Sequence, residues 1–346
     1  GELIENHVKS DVLRGVLLTD ARIGVETHAH DNSLLQNKTF LYHIVGNKTG
    51  EWRVPQGGMG ALVKELFQKS LDLGVHFEVN AEVEKIEEQS VLVNDGLINC
   101  EHILLNGAPQ LLQKLVPKPI QKQYDFLPSE IVAKDGTAFK INILLKRLPK
   151  LKADTSPEDA FAGTFHINQT YSQQERAYLE SIEGEIPEIF SCEMYCHTLT
   201  DDSILSKDLN SKGYHTITVF GLDMPYTLFN IENNTSLKTT VWEKFLKGIN
   251  AYLEEPFEGC IAVNSQNELC YECKSALDLE NELGLPKGNI FHNDLSWFYA
   301  ENETDIGQWG VETVFPRITI CGAGARRGGA VSGIPGRNAA MKILGK

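Results

Sequence analysis

A mixed α/β (α+β) fold in discontinuous domains is what this sequence predicts, on three observations. Two glycine-dense turns, at residues 55–60 and 322–329, each run into a helix-forming segment. Short β-prone runs gather at residues 75–105 and again at 139–221, without the regular strand–helix alternation of a doubly wound sheet. No internal repeat or low-complexity linker divides them, so the chain is expected to leave a glycine-turn domain after about residue 115 and to return near residue 285. With 346 residues, of which 42% are hydrophobic, the chain is long enough to bury two cores.

Taken in order, Ser10-Asp11 is placed to cap a helix through Val12, Leu13, Val16 and Leu17. A polar stretch covers 26–39. After the first glycine turn, Met59, Leu62, Val63, Leu66 and Phe67 fall at helical spacing, and Gly74 supplies the stop after Leu73. That helix begins at a glycine turn, so its free N–H groups are available to a ligand. Residues 75–79, 82–86, 91–93 and 97–105 suggest a small meander, with Asn94-Asp95-Gly96 as its tight hairpin. Asn106-Gly107-Ala108-Pro109 breaks the last strand before a short helix carrying Leu111, Leu112 and Leu115. Residues 139–145 make a buried strand, and Ser172 with Glu175 forms a capping box for a helix through Tyr178 and Ile182. Strands are expected at 189–194 and 215–221. The long helix, 237–253, carries one stripe of Leu237, Val241, Trp242, Phe245, Leu246, Ile249 and Leu253, suited to covering a sheet. A shorter helix at 275–283 is closed by Gly284.

The net charge of −15, without a basic run, disfavours a nucleic-acid partner and adhesion to anionic membranes. No apolar run approaches the length of a transmembrane helix, and GELIENHVKSD is not a signal segment, so a cytoplasmic protein is expected. Seven cysteines fit reduced thiols better than a disulfide framework. Cys270-Tyr-Glu-Cys273 and Cys192 with Cys196-His197 have metal-like spacing, but the former lies in a strand-like run without the glycine of a zinc knuckle; no metal site is assigned. His292 could hydrogen-bond a cofactor or substrate, and Lys140 could reach an active-site water; ordinary structural roles compete for both.

The C-terminal stretch ITICGAGARRGGAVSGIPGRNAAMKILGK is a short strand, a glycine turn and a helix. From Gly322 the spacing is G-x-G-x-x-x-G, and too few residues follow for a dinucleotide-binding βαβ unit, so the turn closes a domain rather than opening one. Together with WRVPQGGMGALVKEL at 52–66 and NIFHNDLS at 289–296, it resembles the phytoene-desaturase-like (carotenoid-desaturase) branch of the FAD-dependent amine oxidase superfamily. SDVLRGVLLTDA at 10–21 and GTAFKINILLKRLP at 136–149 resemble weaker segments of that family.

The resemblance implies a partial FAD/NAD(P)-binding domain, from 55–115 and 285–346, and a substrate domain of mixed sheet and helices, from 1–54 and 116–284. It implies FAD as cofactor and hydride transfer from an apolar or amine-type substrate. It also implies positions for the cofactor: Gly57, Gly58 and Met59 beside the isoalloxazine, the backbone of Val83 against adenine, Gly322 and Ala323 near the pyrophosphate and ribityl, and Gly329, Ala330 and Val331 at a helix start facing the flavin. Two departures stand out. The family's opening strand–GxGxxG–helix unit has no counterpart in residues 1–50, so a truncated or split chain, with an upstream polypeptide supplying that unit, is expected. Ala325-Arg326-Arg327 replaces the family's Thr-His-Pro, leaving the arginines either at the flavin edge or solvated. A non-catalytic lipid- or partner-binding protein on the same scaffold, and an inactive remnant, stay open as alternatives.

Overall fold

The computed structural model describes residues 1–44, 53–327 and 332–345, and the side chains of these except Glu130. The chain divides into two compact units, residues 1–75 with 136–282 and residues 76–135 with 283–346. Discontinuity was expected, but the described division falls at 75, 135 and 282 rather than at 54, 115 and 284. The first glycine turn and its helix therefore group with the first unit.

In chain order the first unit opens with α1 (Glu2–His7), α2 (Asp11–Arg22), α3 (Leu35–Ile44) and α4 (Gly58–Asp72). Ser10 caps α2, its hydroxyl accepting from the Leu13 N–H at 3.4 Å. The helix forms, but the aliphatic residues that marked it in the sequence are not the ones it buries. Leu18, Thr19, Ala21 and Arg22 are buried, whereas Val12 and Leu13 stand more than half exposed. The reason is polar: Arg22 is 2% exposed, donates to the carbonyls of Thr27 and Gln174 at 2.9 Å each, and ion-pairs with buried Asp223. An ionised guanidinium is tolerated inside only when its donors are met, and meeting them fixes the rotation of the helix.

The second unit begins with β1 (Val83–Ile86), β2 (Ser90–Val93) and β3 (Gly96–Asn99), an antiparallel meander. Val93 pairs with Gly96 across Asn94 and Asp95, whose φ values of +46° and +64° are those of the hairpin turn anticipated. Residues 75–79 form no strand, and β4 (Ile103–Leu105) leaves the meander for a different sheet. It is followed by α5 (Leu111–Leu115) and α6 (Lys118–Gln123).

Back in the first unit come β5 (Phe139–Leu145), α7 (Pro157–Ala160), β6 (Phe165–Ile167), α8 (Tyr171–Ile182), β7 (Cys192–Tyr195), α9 (Lys207–Ser211), β8 (His215–Gly221), α10 (Asn234–Asn250), β9 (Tyr271–Lys274) and α11 (Ala276–Leu283). The strands form an antiparallel five-stranded sheet in the order β6-β7-β8-β5-β9. Phe139, Ile141, Ile143 and Leu145 alternate with partly exposed residues, so one sheet face is core, and α10 lays Val241, Trp242, Phe245 and Ile249 into that core. The capping box at 172–175 is not formed. Thr170 caps α8 instead, because Ser172 is bound by the Asp11 carboxylate and Glu175 accepts from the Ala29 N–H.

The second unit closes with β10 (Ile318–Ile320) and α12 (Ile334–Ile343). β10 runs parallel to β4, Ile103 opposite Ile318 and Leu105 opposite Ile320, and these strands with Ile86, Leu112, Phe315 and Ala339 make the second core.

Candidate functional site

Parallel pairing of β4 and β10 sends the loops that follow them out of the same end of the sheet, the end where ligands of open α/β sheets bind. After β4 the loop is Asn106-Gly107-Ala108-Pro109-Gln110; after β10 it is Cys321 to Arg326. They pack without room for side chains. A Cβ on Gly322 would lie 2.6 Å from the Asn106 carbonyl oxygen, and one on Gly324 would lie 2.5 Å from Pro109 Cδ and 3.3 Å from His292 Cβ. The glycines are thus demanded by contact between the two loops.

His292 reaches the same place from the 289–296 segment. Its backbone is left-handed at φ +66°, a conformation a non-glycine residue adopts only under local constraint. Asn289 supplies part of that constraint, its carbonyl accepting from the His292 N–H at 3.0 Å and its side chain from the Phe291 N–H at 2.8 Å. The Gln110 amide donates to the His292 carbonyl at 3.3 Å and to Asn293 Oδ1 at 2.7 Å. Two polar atoms here are buried without a partner, His292 Nδ1 and Gln110 Oε1. Burial pushes the histidine's pKa down, so the ring is neutral near pH 7. A neutral imidazole and an unpaired amide oxygen beside a glycine-lined turn can hold a polar heterocycle or a ribityl-type hydroxyl.

The arginines of this turn have other work. Arg326 ion-pairs with Asp305 and with Glu301, and Arg327 donates to the carbonyls of Gln308 and Asp305 at 2.7 and 3.1 Å. Arg326 is exposed, as the solvated reading has it, and together the two arginines clamp the 301–308 loop. Gly329, Ala330 and Val331 lie outside the described residues; α12 itself begins at Ile334 after Gly333.

The remaining sequence-derived positions fall elsewhere. Val83, on β1 of the second unit, lines an apolar cleft of about 330 Å³ with Ile98, Leu104 and Leu115 among its walls. Gly57 and Gly58 start α4 in the first unit, with φ of +85° and +70°. The Gly57 N–H is taken at 2.7 Å by the Asp201 carboxylate, which Ser203 first and then this N–H hold below the usual carboxylate range. The expected free helix end is therefore already capped by an anion of the chain itself. Met59 is 48% exposed, and no residue of α4 is buried. Lys140, on β5, is partly exposed and belongs to the first unit, whereas His292 belongs to the second. Cys192 and Cys196 sit in the first core, all seven cysteines are free thiols, and among the described residues no group of three His, Cys, Asp or Glu is placed to hold a metal ion.

A cluster on the five-stranded sheet went unnoticed in the sequence. His166 pairs with Glu193, Glu193 with Phe220, and Phe220 with Lys140, so these side chains share the face opposite the core. Glu193 is 3% exposed, and its carboxyl is pushed up to about 7, chiefly by burial and further by the Asp20 carboxylate on α2; the Tyr195 hydroxyl, donating at 2.6 Å, pulls the other way. The signal available was a glutamate inside a run otherwise fit for a strand, Phe-Ser-Cys-Glu-Met-Tyr.

No protein-family model matches the chain. In sequence it is similar to an uncharacterized protein of Mycobacterium tuberculosis, 40% identical over 357 residues that cover 99% of this chain and 64% of that protein. It is also similar to the mouse pyridine nucleotide-disulfide oxidoreductase domain-containing protein 2, 26% identical over 372 residues, covering 99% of this chain and 60% of the mouse protein. Among solved structures, an oxidoreductase from Methanosarcina mazei aligns with 84% of this chain and 55% of its own, at 16% identity and a TM-score of 0.49. The chain thus spans less than two thirds of these relatives' length. No helix among the described residues is long and apolar enough to cross a membrane.

Proposed function

We propose that the chain is part of a flavin-dependent oxidoreductase whose FAD is held by the loops after β4 and β10. The observation that carries this is the convergence of Gly322, Gly324, Asn106 and Gln110 with His292, where two buried polar atoms have no partner in the chain. Buried polar groups are ordinarily satisfied, so two orphans beside a glycine-lined turn fit a ligand's hydrogen-bonding groups. The mouse relative's oxidoreductase name supports the same class.

On this proposal Gly322 and Ala323 lie by the pyrophosphate and ribityl and Val83 meets adenine, while the flavin-edge roles implied for Gly57, Gly58, Met59 and residues 329–331 rest on the sequence motifs alone. The flavin, when bound, would supply a hydride acceptor. The protein's part is orientation: neutral His292 accepts or donates a hydrogen bond without adding charge, and Gln110 fixes the segment that carries it. The phytoene-dehydrogenase-like branch, with an apolar or amine-type substrate, is the finer form of the proposal and rests on the sequence motifs.

A further polypeptide segment with the GxGxxG unit belongs to the proposal as well. Leu62, Val63, Leu66 and Phe67 on α4 are 44–62% exposed, and among the described residues β4 is paired along one edge only, beside the apolar cleft. Exposed apolar area of this kind marks an interaction surface. The test is titration of the purified chain with FAD, alone and with the corresponding additional portion of the mycobacterial relative. Binding is expected to bring protein-bound flavin absorbance and quenched flavin fluorescence. Absence of both signals from both mixtures would refute the cofactor assignment.

A further inference from the structure

The sheet face that carries Glu193 has what a ligand site needs and the core face lacks. Strand register sets His166 and Glu193 side by side, Tyr195 lies two residues along β7 on the same face, and Asp20 approaches from α2. The charges bearing on the two carboxyls are their own and those of His43 and His166; neither carboxyl forms an ion pair with a lysine or arginine among the described residues. Lys140 stands in the same row two strands from Glu193, with Phe220 between them, and makes no ion pair with it among the described residues. A buried carboxylate without a cation is costly, and it is met by protonation or by a counter-charge.

A second observation comes from outside the acidic pair. Gln169, 4% exposed, spends its Oε1 on His166 Nδ1 at 2.5 Å, and its Nε2 is buried without a partner. The cluster therefore lacks two things, a lysine or arginine partner for its carboxyls and an acceptor for the Gln169 amide donor. Asp20 and His166 are partly exposed, so the cluster opens to solvent on their side.

We propose that Glu193 and Asp20 receive the protonated nitrogen of a ligand whose neighbouring oxygen accepts from Gln169, a cationic amino alcohol or amino carbonyl compound. As a substrate class this deepens the oxidoreductase reading and rests on it; as a binding site it stands without flavin. Tyr195 is a positioning residue, holding one Glu193 oxygen so that the other faces the ligand. Binding transfers no group: the ammonium stays protonated and Glu193 gives up its proton to solvent.

The test is calorimetric titration of the flavin-free chain near neutral pH with 1-amino-2-butanol, in two buffers of different ionisation enthalpy, with 1,2-butanediol as the neutral control. The amine is expected to bind and release a fraction of a proton. Glu193→Gln should weaken it by about tenfold or more and abolish the proton release, and Asp20→Asn should weaken it with release retained. Circular dichroism establishes that both variants fold. The site would be overturned by no detectable binding, by equal binding of the diol, or by unchanged affinity and proton release in Glu193→Gln. Because no flavin takes part, failure to bind FAD would overturn the cofactor proposal and leave this one standing.

Discussion

Replacing Glu193 by glutamine separates the energetic account of this residue from every question of activity. The unfolded carboxyl titrates near 4.5 and the folded one near 7, raised chiefly by burial. Between those values the native chain holds a proton that the unfolded chain has released, so stability falls as pH rises through the window, and the loss is complete above it. One pH unit of displacement is about 1.4 kcal/mol, so moving from 4.5 to about 7 makes the ionised glutamate cost about 3 kcal/mol. Glutamine keeps an oxygen for the Tyr195 hydroxyl and cannot ionise. Wild type and variant should therefore differ little at about pH 5, whereas at about pH 8.5 the variant should gain about 3 kcal/mol relative to wild type. Urea unfolding followed by circular dichroism reads the difference, and thermal melts should show it as roughly 2–4 °C per kcal/mol for a unit of this size. A wild-type–variant difference that is the same at both pH values would refute the argument, since ionisation of the Glu193 carboxyl is the only source of pH dependence it invokes.

Other perturbations test other parts of the structure. Arg22→Leu should cost about 3–5 kcal/mol by stranding the buried Asp223 carboxylate, and adding Asp223→Asn, which tolerates the left-handed φ of +60°, should recover much of it in a double-mutant unfolding cycle. Gly322→Ala would drive a methyl onto the Asn106 backbone, which cannot rotate away, so it should lower stability by about 1–3 kcal/mol and displace the 106–110 loop, read by melting and by amide exchange in that segment. Arg326→Gln should speed limited proteolysis within 301–308 while leaving global melting little changed, because the arginine clamps that loop through Asp305 and Glu301. Leu62→Lys with Leu66→Lys on α4 should suppress self-association in sedimentation and lower binding of a hydrophobic dye, because both side chains are exposed.

Local chemistry made much of the fold legible. The 139–145 alternation, the α10 stripe, the Asn94-Asp95-Gly96 hairpin and the C-terminal strand each carry their signal within a few residues, and each forms. Where a distant group decides, the sequence misled. Thr170 displaced Ser172 as the cap of α8 because Asp11, far away in the chain, claims the serine. The buried face of α2 turned because Arg22 had partners at Thr27, Gln174 and Asp223, so a polar network outweighed the aliphatic residues Val12 and Leu13. The α4 stripe was legible as a helix, but its burial was not, since amphipathic periodicity records a preference for a partner and not the partner's presence.

The candidate sites divide along the same line. Gly322 and Gly324 were visible because close backbone contact leaves a glycine in the sequence, but Asn106, Pro109 and Gln110, which make that contact, carry no motif. Glu193 was harder still. Its chemistry arises from burial, from Asp20 on another element and from the strand register that sets it beside His166, and none of these is written at position 193. The two sites therefore answer different questions. The glycine turn depends on the approach of two loops in the second unit and bears on the proposed cofactor. The Glu193 cluster depends on uncompensated charge in the first unit and bears on ligand chemistry, and a purely apolar ligand would leave its carboxyls without a counter-charge. Of the two substrate types the resemblance implies, the proposed ligand site fits the one that brings a cation.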